Sequence, residues 1–196
     1  MPTLGFSSIA GINATNQAPT DLVVVGGPYV AGGSGVLGNG YMNYHAINNA
    51  SNGDTQSIRL IAYNNNAGAV GTLLGVTDAV TVIQGTTPTD SFVQFPSWSA
   101  FGGPPSVTGG VSYWVGLWWG TAVGAGGPQT AINVQQPGNT QFFNNAETYS
   151  TSGNPPNIPA SSGGNQDYVI YFDVNPPATI GVTGTFVTHR LGGMGW

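Results

Sequence analysis

Apolar residues in this chain arrive in short bursts and not at helical spacing. The stretches "LVVV" (22–25), "QSIRLIAYN" (56–64), "SFVQFP" (91–96), "VSYWVGLWW" (111–119) and "DYVIYFDV" (167–174) are rich in β-branched and aromatic residues. Gly, Pro and Asn clusters bound them, which is how strands are punctuated. Further strands are predicted at 36–47, 72–84, 130–135, 140–144 and 179–188, about ten in all. Alternation is clearest at 167–173, where Tyr168, Ile170 and Phe172 face one way and Asp167, Val169, Tyr171 and Asp173 the other. Residues 111–119 are apolar on both faces, as a central strand requires.

Composition points the same way. Glycine (32) and proline (14) are scattered along the 196 residues, while Lys and Glu together supply one residue, so helices are disfavoured. The expected fold is an all-β sandwich with Gly- and Pro-rich loops at 101–110, 124–129 and 150–166. One domain is expected over 1–177, ending at the sheet-breaking "NPP" of 175–177. Residues 178–196 are expected to form a C-terminal tail or an extra strand.

Charge narrows the function classes. Arg59 and Arg190 are the only cations other than histidine, there is no lysine, and the net charge is -5. A folded chain of this mass exposes roughly 8,700 Å², so it carries about one formal charge per 1,000 Å². Nucleic acid is excluded as a partner, because phosphate neutralisation needs clustered Lys or Arg. Asn, Gln, Ser and Thr must supply solubility, and such a surface tolerates dense packing against copies of itself. Trypsin has two sites, and seven carboxylates leave little to drive acid unfolding. No cysteine is present, so disulfides and thiolate metal sites are impossible. The N-terminal "MPTLGFSSIAGINATNQ" has no basic region and no unbroken apolar core of a secretory signal, and no run approaches the ~20 apolar residues of a membrane span. Synthesis in a cytoplasm and work outside it are expected together, as for a virion protein released by lysis.

Candidate chemistry is sparse. "GSGVLG" places Gly33, Gly35 and Gly38 in a GxGxxG pattern, with Asp54 about 20 residues on, as a dinucleotide site would have them. That site needs a helix to begin at the turn, whereas "NGYMNYHAIN" reads as turn then strand, and a P-loop lacks its lysine. His45 and His189 are the only imidazoles, and neither sits in an acid or nucleophile motif. Asp167 and Asp173 stand roughly 20 Å apart along one strand, too far for a glycosidase pair at ~5–9.5 Å. "NNASNGDT" offers Asn48, Asn52 and Asp54 around a glycine. With one carboxylate it is a turn before it is a calcium loop. Asn13 and Asn49 satisfy N-x-[ST], which matters only in a glycosylating host. No catalytic residue, cofactor or metal site is expected.

The aromatic stretch "YWVGLWWG" (113–120) carries the sharpest binding hypothesis. Alternation puts Trp114 and Trp118 on one face with Gly116 between them, a slot on which a sugar ring could stack. The competing reading, that both faces of a central strand are buried and the rings are core, is favoured.

Three stretches in order, "SIRLIAYNNNAGAVGTLLG" (57–75), "VSYWVGLWWG" (111–120) and "DYVIYFDVNPP" (167–177), resemble a β-sandwich module of tailed-phage virion proteins and some bacterial surface proteins. Members read as a strand ending in Tyr and Asn or Asp, then Gly-x-Pro-Gly-Thr-Leu-Leu, later Gly-x-Tyr-Trp-Leu-Gly, and finally a strand followed by proline. The resemblance covers residues 57–177; Val70 stands where the module has proline, and Ser112 precedes Tyr113 where a small turn residue is usual. It implies an antiparallel, jelly-roll-like sandwich on the outside of a particle, with no catalytic residues to carry over. The function expected from it is a non-enzymatic bacteriophage structural protein, a capsid decoration, head-surface or tail-surface component. Its partners would be other capsid or tail subunits, in a homo-oligomer or lattice. The tail would dock on a neighbour through Phe186, Leu191 and Trp196. The alternative is a glycan- or receptor-binding module of a fibre or spike. Within the first stretch, the asparagines with Gly68 and Gly71 are expected to supply the positive-φ positions of a tight connection between two strands.

Overall fold

A computed structural model describes residues 1–12, 14–17, 22–46, 53, 55–83, 89–123, 130–135, 141–146, 149–151, 153 and 162–177. In chain order the strands are β1 (Thr3–Gly5), β2 (Ala14–Gln17), β3 (Leu22–Val30), β4 (Gly35–Ala46) and β5 (Thr55–Asn66). They continue with β6 (Ala69–Val76), β7 (Val80–Ile83), β8 (Thr89–Phe95), β9 (Ser106–Val107) and β10 (Ser112–Val123). The last are β11 (Thr130–Gln135), β12 (Gln141–Ala146), β13 (Ser162–Asn165), β14 (Asp167–Tyr168) and β15 (Ile170–Asn175). Among the described residues a single 3-10 turn, Ser99–Phe101, interrupts them.

All pairings among the described strands are antiparallel, and they make two sheets packed as a β-sandwich. The first is built on β4, which takes β15 and then β11 along one edge and β9 and then β8 along the other. The second runs β13-β12-β3-β10-β5-β6, with β7 also on the edge of β5. The all-β expectation therefore holds, in more and shorter pieces than the ten predicted strands. The run 72–84 splits into the end of β6 and β7, because Thr77–Ala79 leaves the ladder. Thr77 exchanges backbone hydrogen bonds with Leu60 through its N–H and hydroxyl, and the Asp78 carboxylate accepts from the hydroxyls of Ser97 and Ser99. The run 167–174 splits at Val169, whose N–H donates to the Asn133 carbonyl and whose carbonyl accepts from the Asn43 N–H. That one residue passes the chain from β11 to β4. Strands β1, β2, β9 and β13 have too little apolar alternation to be seen in sequence, and β9 and β13 lie in predicted loops. The predicted strand at 179–188 and the loop at 124–129 lie outside the described residues.

Alternation decides the core. From β10, Tyr113, Val115, Leu117 and Trp119 face the first sheet, meeting Ile58, Leu60 and Ala62 of β5, Met42 of β4, and Ile170, Phe172 and Val174 of β15. Tyr168, Ile170 and Phe172 share this side, as their spacing predicts. A second cluster covers the outer face of the β3-β10-β5 sheet: Val23, Val25, Ile61, Tyr63, Val76, Trp114 and Trp118. That sheet is buried on both sides, which is why β10 is apolar throughout.

The Asn-rich stretch is a hairpin. β5 and β6 are joined through Ala67 at φ +51° and Gly68 at φ +90°, both central residues positive, as type I′ turns require. Ala67, not Gly71, takes the second positive-φ position. The asparagine side chains stitch the loop: Asn65 Oδ1 accepts from Gly68 N at 2.9 Å and from Trp114 Nε1 at 3.2 Å, and Asn64 Oδ1 accepts from Thr72 N.

Candidate functional site

Trp114 and Trp118 do lie on one face of β10, with Gly116 between them, but that face is interior. Their exposures are 0 % and 1 %. A Cβ at Gly116 would collide with the Val24 carbonyl oxygen, so backbone closes the space a slot would need. Tyr149 stands edge-on to Trp118 at 5.2 Å between centroids, and Phe101 packs on the same cluster. The core reading is the one that this burial supports. Phe186, Leu191 and Trp196 lie outside the described residues, as do His189, Asn13, Asn48, Asn49, Asn52 and Asp54. Gly33 lies in the bend before β4, and Gly35 and Gly38 lie in β4 itself, with no helix behind them.

The same outer face hides Arg59, which sequence reading passed over as part of a strand. It lies opposite Trp118 in the β5–β10 register, on the side of Ile61 and Tyr63, and is fully buried. Its Nε donates to the Thr77 carbonyl at 2.7 Å, and Nη1 donates to the carbonyls of Ser150 at 3.0 Å and Gly153 at 2.6 Å. The guanidinium sits 6.0 Å from the Trp118 ring centroid. One planar fork thus clamps the 149–153 segment onto the sheet, a task for which Arg is suited and Lys is not. Burial pulls the Arg59 pKa below the ordinary arginine value, opposed by Tyr149 and Asp78. Burial also pushes the Tyr149 phenol up to about 12, against the pull of Arg59 and a Ser57 hydrogen bond, so the phenol is neutral at physiological pH. This is a structural clamp.

Polar chemistry open to solvent gathers on the opposite side of the molecule, on the outer face of the β4 sheet. The β4–β8 register places His45 opposite Asp90 and Asn43 opposite Phe92. His45 Nδ1 lies 2.8 Å from Asp90 Oδ1. Asn133, from β11, donates Nδ2 to the same Asp90 oxygen at 2.9 Å and to Asn43 Oδ1 at 2.6 Å. Beside this network runs an aromatic row: Tyr41 stacks on Tyr171 at 4.8 Å, and Phe92 meets Tyr171 edge-on at 6.1 Å. Tyr41 also donates its hydroxyl to Asp173 Oδ2 at 3.2 Å. A cavity of about 410 Å³ opens here, lined by Ile9, Ile12, Asn43, Asp90 and Phe92. A second, more apolar cavity of about 300 Å³ lies by Ser34, Val36, Ser106 and Pro177.

Sequence reading named His45 and could not supply its partners. Asp90 is 45 residues away from it and Asn133 is 43 residues from Asp90; only the β8-β4-β11 neighbourhood unites them. Asp167 is buried on β14 while Asp173 faces outward on β15, so that carboxylate pair is not assembled. Among the described residues no cluster of three or more His, Cys, Asp or Glu could hold a metal.

The Asn133 hydrogen bond, and then that of His45, hold the Asp90 carboxyl below the usual carboxylate range. A lowered folded pKa contributes stability that is present above the unfolded value, roughly 3.9 for Asp, and lost as pH falls through the folded one. The stability difference between the wild type and Asp90→Asn is therefore expected to shrink as pH falls from about 5 to below about 4. Thermal melts of both proteins across that range check it; a difference that grows in acid would show the carboxylate is not held this way.

No family model matches the chain, and no curated protein matches it either.

Proposed function

We propose that this protein is a non-enzymatic structural component of a bacteriophage virion, a capsid decoration or head-surface protein or its tail-surface counterpart. The observation that carries this reading is the near-absence of surface cations on a rigid two-sided β-sandwich. Of the two arginines, Arg59 is sealed inside. Besides exposed apolar side chains such as Val30, Ile83 and Phe92, the described surface offers a neighbour amides, hydroxyls and a few carboxylates, a coat that can pack against copies of itself or a capsid subunit without strong like-charge repulsion. The three stretches that resemble a phage module support it further. Two of them, in β5–β6 and β10, are adjacent in one sheet, and the third forms β14–β15 of the other. Residence in the virion and contacts with capsid or tail subunits follow from the same reading.

Quantitative mass spectrometry of purified particles is the test. The chain is expected at a copy number that is a fixed multiple of the particle's symmetry, and a variant lacking residues 178–196 is expected to fold but not to join the particle. Absence of the full chain from particles, or its presence in trace amounts, would overturn the assignment.

A further inference from the structure

The cavity on the outer face of the β4 sheet has two unlike walls. Phe92, 45 % exposed, and Ile9, 59 % exposed, make one apolar wall together with Ile12. Asp90 and Asn43 make the other. We propose that this cavity binds a neutral saccharide unit, its C–H face against Phe92 and adjacent hydroxyls on Asp90 and Asn43. The proposal does not depend on the virion assignment and concerns a different face from Trp114 and Trp118.

Hydrogen-bond bookkeeping fixes what the polar wall presents. Asn133 reaches Asp90 and Asn43 with the same side-chain atom, and because an ionised carboxylate only accepts, that atom is the amide nitrogen. The Asn43 atom facing it must then be the carbonyl oxygen, which leaves Asn43 Nδ2 as the donor turned elsewhere. Asn43 is 3 % exposed and lines the cavity, and its Nδ2 has no hydrogen-bond partner among the described residues. Asp90 spends one oxygen, Oδ1, on both His45 and Asn133, which leaves Oδ2 without a hydrogen bond among the described residues. A planar acceptor and a planar donor, both held by Asn133, thus line the same cavity. Vicinal hydroxyls, which both donate and accept, satisfy that pair.

Other ligand classes fit less well. An anion would meet the Asp90 carboxylate, a calcium ion would find one carboxylate where several are needed, and a purely apolar ligand would bury Asp90 and Asn43 unsatisfied. The volume, about 410 Å³, falls within the roughly 300–1,000 Å³ of small-molecule sites, enough for a sugar ring open to solvent on one side.

Saturation-transfer NMR and calorimetry with the full chain test this, using glucose, galactose, mannose and N-acetylglucosamine as probes and calcium chloride and butylamine as controls. At least one sugar is expected to bind with a dissociation constant on the order of millimolar. Phe92→Ala, which removes an exposed ring, is expected to weaken that binding about tenfold with an unchanged melting temperature, and Asp90→Asn to weaken it comparably. The proposal is overturned if no sugar binds at ~50 mM, if Phe92→Ala and Asp90→Asn leave sugar binding intact, or if only calcium or the amine binds.

Discussion

Replacing Trp118 by alanine is expected to cost about 3–5 kcal/mol, the range for truncating a large buried aromatic. For a chain of this size that lowers the melting temperature by roughly 6–20 °C. The ring is 1 % exposed, pairs across the strand with Arg59 and Val23, and meets Tyr149 edge-on. Truncation leaves a cavity that neighbouring backbone cannot fill, because β3 and β5 fix the sheet on both sides of β10. The same substitution separates core from sugar platform. If Trp118→Ala melts like the wild type but loses affinity for a glycan, the ring belongs to a binding surface and the burial described above is wrong in solution.

Arg59→Ala is the second large effect, expected at about 3 kcal/mol. The mechanism differs from that of Trp118. The substitution orphans the carbonyls of Thr77, Ser150 and Gly153 together, after they have been withdrawn from water around one guanidinium. Arg59→Lys is expected to recover only part of the loss, since one ammonium cannot serve three acceptors in this fork geometry. A local readout accompanies the global one: chymotrypsin should cut after Tyr149 in Arg59→Ala well before it cuts the wild type, as the 149–153 segment is released. Equal protection of Tyr149 in both proteins would mean that the segment is held by something else. Burial of Arg59 also removes one of the two tryptic sites from reach in the folded state.

The two sites also show why some chemistry is legible in sequence and some is not. Trp114, Gly116 and Trp118 stand two residues apart, and strand alternation alone puts them on one face. Whether that face meets water depends on Tyr149, Phe101 and the 149–153 segment, which arrive from elsewhere in the chain. Arg59 looked like an ordinary strand residue because a single cation gives no periodic signal. The Asp90–Asn133–Asn43 network is invisible for a related reason: three strands far apart in sequence contribute one or two side chains each, and only register brings them together.

Local chemistry was sufficient for the class of fold. Scarce helix formers, punctuating Gly and Pro, and period-two apolar runs specify strands, because those are properties of neighbouring residues and of the backbone itself. The double burial of β10 and the hairpin after Tyr63 were readable for the same reason. Tertiary structure alone decided which of two equally apolar strand faces became the inter-sheet core and which was covered by a loop, where β6 and β7 part, and which polar groups meet on the β4 sheet. Those outcomes depend on pairing between distant segments, and a side chain's neighbours across a sheet are set by register, which a single strand's sequence does not contain.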